Sequence, residues 1–436
     1  MDDRNRPDKG QLEPEAAVTD PTERSWLSRL GPGLVTGAAD DDPSGIGTYS
    51  QAGAQFGLTL LWTLLLTYPL MVAIQMTSAR IGRVTGKGLA SNMRAFGPKW
   101  LVFLLVLLLT LANTINIAAD LAAMGAAIHL LVPGPEHLYV IAIGLCSAVI
   151  QISVPYASYA RILKWLTLVL FAYVAVAFVV PIDWAKVAIS VVWPRTHLSG
   201  EYLTTVVAVL GTTISPYLFF WQASQEVEEM RAKPEGQPLR WISSFRAYRQ
   251  IKRISADTWI GMGVSNGVGF FIMLTAAATL HVHHVKIETS ADAAKALAPV
   301  AGHLAAYVFA TGIVGTGLLA LPVLAGSAAY GAAGALRWRS SLSLHLTLAR
   351  GFYAVIAIAI LGGIAITFFH LDPVKALYWS AVINGLAAVP VMAVVMLMGS
   401  SARVMGRFRI AGLLRAGGWI ATGFMALAAV GMFIPA

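Results

Sequence analysis

Stretches of apolar residues as long as a bilayer is thick constrain this chain more than any other feature. Leu101 to Leu109 and Ala354 to Phe369 are apolar blocks within two of them. A helix rises about 1.5 Å per residue, so about 20 apolar residues cross the hydrocarbon layer. Eleven such spans are predicted, near 31–55, 57–79, 100–130, 137–155, 162–181, 203–226, 257–280, 300–331, 350–369, 376–398 and 417–434. Only 12% of the residues are charged and 57% are hydrophobic, whereas soluble domains are about a quarter charged. The expectation is an all-α polytopic membrane protein: a disordered cytoplasmic tail over 1–30, then one membrane domain over 31–436.

The basic residues give that domain an orientation. Alternate connections between spans hold 21 and 5 of the 31 Lys and Arg, and the first 30 residues hold the other five. Cytoplasmic loops are the basic ones, so the N-terminus is expected in the cytoplasm and the C-terminus outside, in a cytoplasmic (inner) cell membrane. This bias accounts for the net charge of +9, and no nucleic-acid partner is implied. The lipid bilayer is the expected surrounding, and no obligate protein partner is evident. Trp241, Ile242, Phe245, Tyr248, Ile251 and Ile254 recur at helical spacing among basic residues, which predicts a helix lying on an anionic membrane face.

Several chemistries lack their motifs. There is no His-Glu-x-x-His helix, Gly-x-Ser-x-Gly elbow or phosphate-binding Gly-rich loop, so neither an enzyme nor an ATP-driven pump is expected. A single cysteine, Cys146, builds no disulfide framework or cysteine metal site, and no cofactor is expected.

Two spans carry their own interruption. In the first, Asp40, Asp41 and Asp42 run into Pro43, Ser44 and Gly45; in the sixth, Gly211-Thr-Thr-Ile-Ser-Pro-Tyr217 places Pro216 after a hydroxyl cluster. Proline lacks an N–H and turns the preceding residue away from helix, so both helices should open there. First and sixth positions correspond if the chain is two five-helix halves, 31–181 and 201–398, with an extra helix at 417–434. Five is odd, so the second half is inverted. Paired breaks in inverted halves point to the midplane site of a secondary transporter, and a carboxylate at that depth is rarely structural.

Asp42-Pro43-Ser44-Gly45, then Gln51-Ala-Gly-Ala-Gln-Phe-Gly57, Leu60-Leu61-Trp62 and Ala118-Ala119-Asp120-Leu121-Ala122 together resemble the NRAMP family of divalent-metal transporters. The resemblance implies a LeuT-like five-plus-five inverted repeat and alternating access of a divalent metal cation, Mn²⁺, Mg²⁺ or similar, carried as substrate. Asp42 would be the anionic ligand, the carbonyls of Ala39 and Thr212 backbone ligands, and Asp120 the third-helix carboxylate beside the ion and proton route. Gly45 stands where the family has an Asn ligand and Ser215 where it has Met. Oxygen donors without thioether suit Mg²⁺, Ca²⁺ or Mn²⁺. The family's third-helix Glu is Ala123, and its two sixth-helix His positions match Tyr217 and Gln222. Gln does not titrate and Tyr ionises only near pH 10, so weak or absent proton coupling is expected.

Asp40 or Asp41 can turn toward the ion once the helix opens, Asp41 being preferred. Ser380 and Asn384, one turn apart on the tenth span, either complete an oxygen shell or bond between helices, and Asn113 and Asn116 on the third span have the same two readings. His281, His283 and His284 read as a loop or a peripheral ion site. Tyr217, Phe219, Phe220 and Trp221 keep an alternative open, a carrier of an amino acid or organic cation.

Overall fold

A computed structural model describes residues 32–154, 167–193, 199–233, 236–369 and 372–433. The predicted tail over 1–30 and the loop cations Arg161, Lys164 and Arg195 lie outside the described residues. Among the described residues the chain is helical, without strands. The membrane helices are α1 (Pro32–Asp40), α2 (Pro43–Phe56), α3 (Leu61–Thr85), α4 (Lys99–His129), α5 (Glu136–Ser153), α6 (Phe171–Val179), α7 (Gly200–Thr213), α8 (Pro216–Arg231), α9 (Ser244–Ala276), α10 (Ala305–Leu336), α11 (Arg350–Thr367), α12 (Pro373–Ser400) and α13 (Gly412–Gly431).

Nine stretches among the described residues are long and apolar enough to cross a membrane, or ten if Leu168–Val179 and Trp184–Val192, bent by 117°, make one more. The first of them in chain order, Pro43–Thr85, has 43 residues. A straight helix of that length would extend about 65 Å, twice the hydrocarbon thickness. It is not straight: Gly57 has φ +59°, where a side chain would be strained, and a 3-10 turn follows before α3. Pro43–Thr85 therefore belongs to two crossings, α2 completing the one that α1 begins and α3 making the next.

Both predicted breaks are present, and they are built alike. α1 ends at Asp40, two residues leave the helix, and α2 restarts with Pro43 at its first turn and Asp42 as N-cap. α7 ends at Thr213, Ile214 and Ser215 leave the helix, and α8 restarts with Pro216 after the N-cap Ser215. Proline fits a first turn because that N–H has no intrahelical acceptor anyway. In lipid such open backbone survives only inside the protein, and Asp42 and Ser215 are indeed 2% and 1% exposed.

Small residues bring the broken helices against their neighbours. A Cβ on Gly37 of α1 would collide with the Gly261 carbonyl oxygen of α9, so α1 rests directly on α9 backbone. Gly211 of α7 meets the Ala381 carbonyl of α12 in the same way.

The basic aromatic segment differs from expectation. Residues from Ser244 to Ala276 form one 33-residue helix, α9, with no breaker to turn its first part into the membrane plane. Phe245 and Tyr248 are exposed on the first turns of the seventh crossing, about 50 Å long in all, which outruns the hydrocarbon layer.

Candidate metal-binding site

Three consecutive carboxylates divide between two neighbourhoods. Asp42 Oδ1 accepts the Gly45 N–H at 2.7 Å, capping α2. Its Oδ2 accepts from Asn116 Nδ2 at 3.1 Å and from the Tyr217 hydroxyl at 3.3 Å. Asp40 and Asp41 face α9 instead: Ser265 Oγ lies 2.6 Å from Asp40 Oδ2 and 3.2 Å from Asp41 Oδ1. All three are buried. The preference for Asp41 as a companion of Asp42 is thus not met in this arrangement, because successive residues at the break diverge and Ser265 draws the other two away.

The two breaks meet at Gly45. A Cβ there would lie 3.2 Å from Thr212 Oγ1, 3.4 Å from the Asp40 carbonyl and 3.5 Å from Asp42 Oδ1. The Ala39 carbonyl is 3.5 Å from the Tyr217 hydroxyl. Ser215 turns away, its hydroxyl donating to the Gly211 carbonyl at 2.7 Å with the Thr212 carbonyl at 3.1 Å. The sixth-helix break thus satisfies itself from its own preceding turn.

α4 and α12 close the site from the side. Asn116 Nδ2 reaches Asp120 Oδ2 at 3.1 Å as well as Asp42, and Asn116 Oδ1 accepts from Asn384 Nδ2 at 2.8 Å. Ser380 Oγ lies 3.1 Å from Ser44 Oγ, two residues beyond Asp42, and donates to the Leu377 carbonyl. Asn113 takes the other of its two readings, bonding α10 through the Leu324 carbonyl and Ser327. Gln222 stands apart from Asp42's partners and donates to Thr258 of α9 at 3.1 Å. Asn116 and Ser265 are the two residues that matter more here than their sequence signals suggested.

Among the described residues no three His, Cys, Asp or Glu side chains converge as a metal-chelating group. The acidic side chain that shares a partner with Asp42 is Asp120, and the other polar groups around it are neutral. His281 is bonded through Nδ1 to the Ala54 carbonyl at 2.9 Å, beside exposed His283 and His284. The aromatic group at the sixth break packs within the bundle: Tyr217, Phe219, Phe220 and Trp221 are all buried, Trp221 edge-on to Tyr330 at 6.2 Å.

Access differs between the two ends. A small cleft of about 20 Å³, room for little more than a water molecule, reaches α2 at Ile46, Gly47 and Ser50, bounded by Phe309, Leu377 and the segment around Ser290. At the opposite end, the Gly33 N–H donates to Asp257 at 2.7 Å, strapping α1 to α9. Arg253 of α9 pairs with Glu229 of α8 through two bonds of 2.5 and 2.7 Å, and Arg83 of α3 bonds Gln250 and the Glu226 carbonyl.

Known proteins agree with this geometry. The family model described as natural resistance-associated macrophage protein-like (Nramp) matches residues 33–435. The divalent metal cation transporter MntH of Klebsiella pneumoniae (strain 342) is 28% identical over 405 residues, covering 90% of this chain and 91% of its own. MntH of Acidiphilium cryptum (strain JF-5) is 27% identical over 402 residues, with 89% and 86% covered. The manganese transporter of Eremococcus coleocola, solved with an aromatic bis-isothiourea substituted compound, superposes with a TM-score of 0.77 at 19% identity, over 94% of this chain and 87% of that one. The nucleobase-cation-symport-1 transporter Mhp1 gives 0.52 at 14% identity, over 97% and 95%. The match over almost the whole length makes this chain a multi-pass membrane protein of the Nramp family.

Proposed function

We propose that this protein is a secondary transporter that moves a divalent metal cation by alternating access, with the ion held at the first-helix break by Asp42. The observation that carries this reading is a buried carboxylate where two broken helices meet, held by neutral donors from Gly45, Asn116 and Tyr217, with Thr212 Oγ1 and the Asp40 carbonyl beside Gly45. A charged group at hydrocarbon depth is retained for what it binds. Around Asp42, the carbonyls of Ala39 and Thr212 supply neutral ligands, Asp120 shapes the potential of the cavity, and Gly45 leaves room beside Thr212. Ser215 enters the shell only by exchanging its bond to Gly211 for the ion. The relatives that carry the name divalent metal cation transporter favour this reading over an organic solute.

The donor set is oxygen throughout, so the selected ions are hard ones, Mn²⁺, Mg²⁺ or Ca²⁺, with weakened preference for soft Cd²⁺. Ala123, Tyr217 and Gln222 remove the family's third-helix Glu and two sixth-helix His from the route while Asp120 remains, and transport is weakly coupled to protons or uncoupled. The basic connections support an orientation with the N-terminus in the cytoplasm and the C-terminus outside, in a cytoplasmic membrane. In that orientation the cleft at α2 opens outward, and α1 strapped to α9 closes the inner side. Inward release then requires α1 to leave Asp257.

Flux of Mn²⁺, Mg²⁺, Ca²⁺ and Cd²⁺ into proteoliposomes, with internal pH followed, tests the proposal. Divalent flux without coupled acidification is expected. Absence of flux for every ion would refute the metal reading, and uphill transport driven by an imposed pH gradient would refute the uncoupled one.

A further inference from the structure

One amide sits between two buried carboxylates, Asp42 at the first break and Asp120 of α4. Asn116 Nδ2 is 3.1 Å from Asp42 Oδ2 and 3.1 Å from Asp120 Oδ2, and all three residues are buried. The positive end of an amide dipole thus occupies the position between two anionic groups where a cation would be held. Three buried acceptors around the first break have no hydrogen-bond partner, Asp40 Oδ1, Asp120 Oδ1 and Asn384 Oδ1, and the last two belong to the residues that Asn116 bonds. Buried acceptors are normally satisfied, and a pair left open beside two carboxylates points to a cation as the missing partner.

The first helix, meanwhile, has lost its amide. Position 45 is Gly, and a Cβ there would crowd Thr212 Oγ1 at 3.2 Å. The terminal torsion of an Asn side chain is soft and roughly two-fold, so its oxygen and nitrogen exchange places easily. Turned over, Asn116 would direct Oδ1 at the gap between Asp42 and Asp120, and its Nδ2 at Asn384. Asn384 can answer in kind, since its own Oδ1 is free to accept; their bond then survives with donor and acceptor reversed. Metal–oxygen distances of about 2.0–2.6 Å are shorter than the present contacts, so the carboxylates would draw in around the ion.

We propose that Asn116 is a switchable ligand, which holds Asp42 and Asp120 through its N–H group in the empty site and turns its oxygen to a divalent cation that enters between them. In this chain the third helix thereby supplies the amide oxygen that Gly45 does not. The proposal rests on the metal reading of the Asp42 site and specifies a ligand within it.

Calorimetric titration of the purified full-length protein with Mn²⁺ and with Mg²⁺ tests it, using wild type, Asp42→Ala, Asn116→Leu and Asn116→Asp. Asn116→Leu should lose about tenfold or more in affinity, the scale of losing a group at the ion's edge. Asn116→Asp keeps an oxygen but has no N–H, so it should bind at least as tightly as wild type and gain more thermal stability on adding Mn²⁺. A residue that served only as a donor would fail in both variants. Wild-type affinity in Asn116→Leu, or loss of binding in Asn116→Asp, overturns the proposal while leaving Asp42 as ligand. Should Asn116→Leu not fold, Asn116→Asp decides alone. No binding by wild type, for either ion, would remove the metal reading and this proposal together.

Discussion

The first-helix and sixth-helix breaks share one design and divide the work. Each has two residues out of helix, an oxygen-bearing N-cap and a proline at the restart. At the sixth, the Ser215 hydroxyl folds back on Gly211 and Thr212, and the break is satisfied from within its own helix. At the first, three carboxylates are held from outside, by Asn116 of α4, Tyr217 of α8 and Ser265 of α9. A break that satisfies itself can offer carbonyls without disturbing its surroundings. A break held by three other helices reports its occupancy to all of them, which suits the position that must couple an ion to helix movement.

The largest effect should separate the breaks outright. Asp42→Ala is expected to reduce divalent flux by at least about 100-fold, beyond the loss seen for groups that merely support a ligand, while Ser215→Ala stays within a few-fold. Equal losses in proteoliposome flux would erase the asymmetry. Next in size is Ser265→Ala. It strips Asp40 and Asp41 of a buried donor, and thermal unfolding in detergent should show a loss of about 1–3 kcal/mol. Unchanged stability would mean that the two carboxylates do not depend on α9. Smallest is Ser215→Met, which replaces a self-satisfied hydroxyl with a soft thioether. Competition between Cd²⁺ and Mg²⁺ should move several-fold toward Cd²⁺; an unmoved ratio would exclude position 215 from the shell.

Much of this was legible in the sequence because its causes are local. Pro43 and Pro216 open their helices by their own sterics, and the apolar blocks and the alternating basic connections mark the crossings. Asp42 stood out because a carboxylate at hydrocarbon depth is costly, and beside a helix break it is rarely there for packing. Where Asp40 and Asp41 point was not legible, since helical geometry stops at the break and Ser265, 225 and 224 positions away, decides it. Asn116 carried an ambiguous signal for the same reason: its partners Asp42 and Asn384 are 74 and 268 positions distant. The aromatic cluster at the sixth break looked like the wall of an organic-solute site, and its rings are buried in helix packing instead. The basic aromatic segment misled in the opposite direction, because amphipathic spacing does not say whether a helix turns into the membrane plane or runs on into the next crossing.

The proposed site puts the ion at Asp42 and not at the Asp40–Asp41 pair that precedes it. Anomalous diffraction from crystals grown with Mn²⁺ addresses this directly. A peak is expected within metal–oxygen distance, about 2.0–2.6 Å, of an Asp42 carboxylate oxygen, on the side facing Asn116 and Thr212. A peak between Asp40, Asp41 and Ser265, with Asp42 still capping α2 and bonded to Asn116, would contradict it.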